Sequence, residues 1–276
     1  MRKFGEIVKQ CCGGHGFLEI SGIHRFAKEE EALTTAEGAN IVILQQTAKY
    51  LLNQVEALKK GNKLDEITSY LADHISDEED NLPKASDFKS LNETLVHAFE
   101  RRTAVFLKIV SDKFQTLLNQ SLPFETIWNE KTQQQFIKVS EYFGETYMIR
   151  EAFKVLASTE YLDDNTRPII EKCLQIYAIY TILDELNSFL YANFFTEKDI
   201  EDLRESFREI TQIIRKNAIG IVDGFGYRDE ELLSVLGSYD GDVYNRLIGV
   251  VRQNPWNKKN VLPGYFEHIK PLRAKI

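Results

Sequence analysis

Three features of the chain predict an all-α fold, a helical bundle. Only 6 prolines and 15 glycines punctuate 276 residues. Aliphatic residues are mixed with Glu, Lys and Gln throughout, a composition that favours helix. Apolar residues recur three and four positions apart over long stretches, and no segment alternates convincingly with period two. With 43% hydrophobic residues the chain can bury a core of ordinary size, in one large domain or two small ones.

Residues 1–12 read as the last turns of a helix with Phe4, Ile7, Val8 and Cys11 on one face, broken by Gly13, Gly14 and Gly16. The stretch 17–36 reads as irregular. From Ile41 to Leu58 the pattern is strongly helical, with Leu44, Ala48, Leu51, Leu52 and Val55 in phase. Val42, Ile43 and Tyr50 widen the apolar stripe, which predicts burial on more than one side. Residues 59–85, with Gly61, the acidic run Asp77–Asp80 and Pro83, read as a solvated linker holding a short amphipathic piece.

A series of helices is expected over 86–276. Ser86 is placed to cap the first, which runs from Phe88 to Leu117 before Pro123 interrupts. The second covers about 124–155, with a possible break at Gly144. Thr166 and Pro168 start a third that is apolar on most sides and therefore central. Thr196 and Asp199 have capping-box spacing for a fourth, reaching Val222. Two shorter helices follow near 229–236 and 241–253, ended by Gly237 and Pro255. The expected organisation is thus a helical segment 1–58, a linker 59–85 and a helical domain 86–276.

The net charge of −8 excludes the basic footprint of a nucleic-acid binder. No apolar run has the length of a membrane span, and MRKFGEIVKQ lacks the apolar core of a signal peptide. Three cysteines, Cys11, Cys12 and Cys173, make no disulfide framework and fit a reducing setting.

Several short patterns bear on chemistry. Gly13-Gly14-His15-Gly16 reads either as a loop that lets backbone approach a ligand or as a helix end and turn; spacing alone favours the turn. Cys11, Cys12, His15 and His24 do not make a metal site, because adjacent cysteines do not readily share one tetrahedral ion and no second cluster follows; buried apolar cysteines are the expectation, and no metal is expected. Glu37, in TTAEGAN, stands before an apolar helix. It reads as a helix-dipole or capping partner, or as a base whose pKa is raised in an apolar site; without further information the first is preferred. VDGFGYRDEELLSVLG fails as a dinucleotide fingerprint and YDGDVY as a calcium loop, and both read as turns. There is no nucleophile triad and no P-loop.

Two separated blocks change this weighting. QCCGGHGFLEISG followed by AEGANIVILQQTAKYLL resembles the C-terminal half of the flavin-dependent acyl-CoA oxidases, and IVDGFGYRDEELLSVLGSYDGDVYNRLIGVVRQNPWNK is similar to the last helical region of that family. The resemblance covers nearly the whole chain. It implies that 1–58 is the C-terminal remnant of an acyl-CoA dehydrogenase-like central helical domain and 86–276 the oxidase-specific helical domain. It implies oxidation of a fatty acyl-CoA to the trans-2-enoyl-CoA with FAD as cofactor and oxygen reduced to hydrogen peroxide. Glu37 matches the family's catalytic base. Gly13 and Gly14 match the loop that approaches FAD across a homodimer interface, Gln10 the glutamine before that loop, and Asn40 the motif's asparagine.

Ala39 and Ile41 stand where an acidic residue and a threonine are usual, and Ala36 and Phe17 where an aromatic and a tyrosine are common. These changes keep the base and alter its surroundings. The resemblance also implies that the parts holding the flavin ring and most of the acyl-CoA precede this sequence, so that the chain is a truncated oxidase, inactive alone. The alternative is a non-catalytic helical module that pairs with a full-length oxidase subunit. Ala274-Lys275-Ile276 is a conservative relative of the S-K-L peroxisomal address, which implies an import receptor as partner and the peroxisome as location.

Overall fold

The computed structural model describes residues 2–75, 82–261 and 264–273. The acidic run 77–80 and the tail Ala274-Lys275-Ile276 lie outside the described residues. The principal helices are α1 (Arg2–Cys11), α2 (Ile23–Leu33), α3 (Asn40–Lys59), α4 (Leu71–His74), α5 (Leu91–Leu118), α6 (Gln133–Ser158), α7 (Thr166–Asp184), α8 (Leu186–Tyr191), α9 (Glu197–Asp223) and α10 (Val243–Gln253). No strand is found among the described residues. Two compact units form, one from Gly38–Val222 and one from Met1–Glu37 with Asp223–Ile276.

The Gly38–Val222 unit carries the apolar core. One cluster gathers Leu95, Phe99, Ile149, Ile179, Ile182, Phe189 and Ile200 from α5–α9. The other joins Ala48, Leu51 and Val55 of α3 to Leu107, Phe114, Phe136 and Val139 of α5 and α6. The i, i+3/i+4 spacing of these residues makes the helices; burial of the resulting faces holds them. Between the clusters stands Arg102, fully buried. Its guanidinium lies 4.1 Å from the Tyr142 ring and 4.2 Å from that of Phe189. It pairs with Glu145 and, at 3.2 Å, with Glu185.

The other unit is knitted by backbone contacts between distant segments. Val235 N–H donates to the Ile20 carbonyl at 3.1 Å. Arg25 donates to the carbonyls of Glu231 and Leu232, each at 3.0 Å. Gly22, with φ 75°, lets the chain pass within reach of Leu232: a Cβ there would stand 3.3 Å from its carbonyl oxygen.

Several expectations need correction. Residues 23–33, read as irregular, form α2. The cap of α5 is Ser90, not Ser86: Phe88 is extended, so the helix starts at Leu91, where Ser90 Oγ accepts from Glu93 N–H and the Glu93 carboxylate from Ser90 N–H. Gly144 causes no break in α6; instead a π-helical turn, Ile127–Thr132, precedes that helix. The third helix divides at Glu185, whose carboxylate is drawn to Arg102 and Lys138. The helix expected at 229–236 is only Asp229–Leu232, closed by Leu233 at φ 47°.

The linker is not uniformly solvated, because Thr68, Tyr70, Leu71 and His74 are all buried. α3 buries one face only, and Ile41, Val42 and Ile43 remain exposed. Cys11 and Cys12, expected to be buried, are exposed. The Thr196–Asp199 capping box forms as expected.

Candidate functional site

The glycine segment begins where α1 ends. Cys12 leaves the helix, and Gly13–Gly16 closes a single helical turn. Its glycines are not equivalent. Gly16 is buried, and a Cβ there would stand 2.2 Å from the Lys9 carbonyl oxygen, so only glycine lets the chain turn back against α1. Gly13 has φ 57° and open space about it; Gly14 has open space and an ordinary backbone. Both are exposed, as is Gln10. The turn is anchored by Ser21 Oγ, which donates to the Gly16 carbonyl at 3.3 Å, and by the His15 ring set edge-on to Tyr244 at 5.8 Å. One side is thus fixed and the Gly13-Gly14 side left open.

Glu37 lies in the turn before α3. Gly38, at φ 112°, adopts a backbone that disfavours any side chain. Ala39 then occupies the N-cap, with its carbonyl accepting from Val42 and Ile43 N–H groups and no side-chain cap. Of the two structural readings, capping fails: Ala39, not Glu37, is the N-cap of α3 and no side chain caps it. Glu37 is exposed. Asn40, the first residue of α3, is exposed too. Val42 contributes to a groove of about 490 Å³ whose wall includes Lys49, Phe124 and Trp128.

These five residues are presented on surfaces. Gln10, Gly13 and Gly14 cluster within one helical end and its turn, and Glu37 and Asn40 flank one glycine turn.

A second cluster, buried at His74 and Glu100 and half-buried at His97, was not singled out from the sequence. His74, at the end of α4, and His97 and Glu100, one turn apart on α5, converge. Glu100 Oε2 lies 2.8 Å from His97 Nδ1 and 3.4 Å from His74 Nε2, and Arg150 Nε holds Oε1 at 2.8 Å. Burial pushes the Glu100 carboxyl up, but His74, His97 and Arg150 outweigh it and hold the group at about 2. Tyr70 Oη and His74 Nδ1 are buried beside it without hydrogen-bond partners among the described residues, and burial pushes the Tyr70 hydroxyl pKa up. The one available signal was the i, i+3 pair His97/Glu100, which alone is a common surface pattern.

Comparison with known proteins places this geometry in context. The family profile for acyl-CoA oxidase matches residues 92–274, and that for the acyl-CoA oxidase C-alpha1 domain residues 2–52. The chain is 29% identical over 276 residues to peroxisomal acyl-coenzyme A oxidase 1 of Rattus norvegicus, covering 98% of this chain and 41% of that protein. It is 27% identical over 268 residues to acyl-coenzyme A oxidase 1 of Drosophila melanogaster, covering 97% and 39%. Among solved structures, acyl-CoA oxidase-2 of Caenorhabditis elegans, bound with FAD, ascaroside-CoA and ATP, superposes with a TM-score of 0.88 at 29% identity, over 98% of this chain and 39% of that one. Acyl-CoA oxidase-1 of the same organism, complexed with FAD and ATP, gives 0.89 at 25% identity, over 99% and 41%. The chain spans about two fifths of the length of the relatives it matches.

Proposed function

The chain belongs to the acyl-CoA oxidase family, and from that premise we propose that it serves the oxidation of fatty acyl-CoA thioesters to trans-2-enoyl-CoA, with Glu37 as the base. The observation that carries the reading is the setting of Glu37: an open carboxylate on a glycine turn, followed at once by the exposed apolar residues Ile41, Val42 and Ile43. Further apolar surface laid over that strip, together with the substrate, would desolvate the carboxylate and make it a stronger base. The α-proton of a thioester is only weakly acidic, so its removal needs a base held in line with the Cα–H bond. On this reading the backbone turn at Gly38 would hold Glu37 in that position.

On this reading FAD would be approached by Gly13 and Gly14, which leave a path free of side chains, with the exposed amide of Gln10 beside them; the exposed Asn40 is a further candidate contact. When bound, it would accept the hydride from the β-carbon and pass the electrons to oxygen, giving hydrogen peroxide. Glu37 takes the α-proton, so the substrate loses one proton and one hydride and gains the 2,3-double bond. The division into 1–58, 59–85 and 86–276 is supported by the separate family matches at 2–52 and 92–274. A homodimer for the full-length form, an import receptor for the tail, and peroxisomal location belong to the same reading; the names of the mammalian relatives support the location.

In the flavoprotein that contains this sequence, Glu37→Gln should lower acyl-CoA-dependent peroxide formation by about 10²- to 10⁴-fold while FAD stays bound. Full activity in that variant would overturn the assignment. The 276 residues alone should bind FAD poorly and release no peroxide with palmitoyl-CoA. A second reading, a non-catalytic module that pairs with a full-length oxidase subunit, is favoured by the open apolar face of α1, where Phe4, Ile7 and Val8 are exposed. Co-purification of the chain with such a subunit, without peroxide formation, would select it.

A further inference from the structure

We propose that His74, His97 and Glu100 form a binding site for a divalent transition-metal ion of the zinc class, joining the segment before α5 to α5 itself. Three observations carry this. First, His74 Nε2, His97 Nδ1 and Glu100 Oε2 make a triangle with edges of 2.8, 3.4 and 3.4 Å. Ligand atoms on a tetrahedral zinc ion are separated by about 3.3 Å, so a point just off this plane lies about 2 Å from all three atoms.

Second, Glu100 Oε2 faces both imidazoles and the two imidazoles face each other at 3.4 Å, so the three ligand atoms lie mutually close. Three groups that each carry an electron pair, converging in that way, can be bridged by one ion in place of the proton they otherwise share. Third, the ligands are held. Glu100 Oε1 is fixed by Arg150 Nε at 2.8 Å. The His97 ring stacks on Phe88 with centroids 4.0 Å apart. The His74 carbonyl accepts from Arg101 at 3.3 Å. Such supporting contacts orient metal ligands.

Two nitrogens and one carboxylate oxygen are a zinc-type donor set, with a fourth position for water. His97, whose side chain is 33% exposed, marks the way in from solvent. Arg150 competes for the carboxylate's charge, so affinity should be lower than at a site with an uncommitted carboxylate. The ion would clamp His74 of the 59–75 segment onto the bundle, a structural role independent of Glu37.

The test uses the full chain, stripped with a chelator and titrated with zinc chloride by calorimetry, and with cobalt(II) followed by its visible absorption. One zinc per chain, a rise in thermal midpoint with zinc, and the intense visible bands of tetrahedral cobalt are expected. His97→Ala, a partly exposed position whose replacement spares the core, should weaken zinc binding at least about 100-fold while circular dichroism confirms the fold. Glu100→Gln, which keeps the shape, should remove the cobalt bands. No zinc uptake by the wild-type chain, or binding and cobalt spectra unchanged in both variants, would overturn the proposal.

Discussion

At the scale of single residues, the three glycines of the GGHG turn have separable roles. Gly16→Ala would drive a Cβ to 2.2 Å from the Lys9 carbonyl oxygen, and the turn would have to open. We expect a thermal midpoint several degrees lower, read by circular dichroism. Gly14→Ala meets no atom within 4 Å and keeps an ordinary backbone, so stability should hold while FAD affinity of the flavoprotein falls; unchanged affinity would remove Gly14 from the cofactor wall. Arg102→Ala leaves Glu185 and Glu145 without their buried partner and strips a cation from three aromatic faces. The expected loss is about 3–5 kcal/mol in denaturant unfolding. Arg102→Lys should recover little of it, because an ammonium cannot both fork and stack. The turn around Glu37 was legible because Glu37 and Gly38 are neighbours in sequence. His74 and Glu100 were not, since 26 positions separate them and only the packing of α4 on α5 makes them neighbours.

At the scale of elements, periodicity located the long helices well and their ends less well. The i, i+3/i+4 apolar runs of α3, α5, α6 and α9 survive because each buries that face. Ends depend on short-range contests that composition does not resolve. Ser86 and Ser90 are both plausible caps, and the extended residue Phe88 decides for Ser90. Ser90→Ala should therefore cost about 1 kcal/mol, and Ser86→Ala much less, in the same unfolding experiment. α2 escaped the sequence reading because His, Arg, Lys and Glu interrupt its apolar spacing. Ile41, Val42 and Ile43, at the start of α3, read as buried because three apolar residues in a row widen the stripe, whereas the structure leaves them exposed.

At the scale of the molecule, both large apolar clusters lie within residues 38–222. That segment expressed alone should unfold cooperatively; a broad, non-cooperative melt would contradict the assignment of the core. The family was legible from two short blocks far apart in sequence, which neither composition nor helical period would have revealed. A fluorescent protein carrying this chain's C-terminal residues should collect in peroxisomes and lose that location when Ala274-Lys275-Ile276 is removed. The claim on which the functional account rests is that Glu37 serves acyl-CoA oxidation. It is tested most directly by capturing the native protein that carries this sequence with an antibody to the α5–α9 bundle and measuring its flavin absorbance and palmitoyl-CoA-dependent peroxide. A yellow protein that releases peroxide, and stops doing so on Glu37→Gln with its colour retained, is the predicted result. A colourless protein that releases none, or a Glu37→Gln enzyme as active as the wild type, would contradict it.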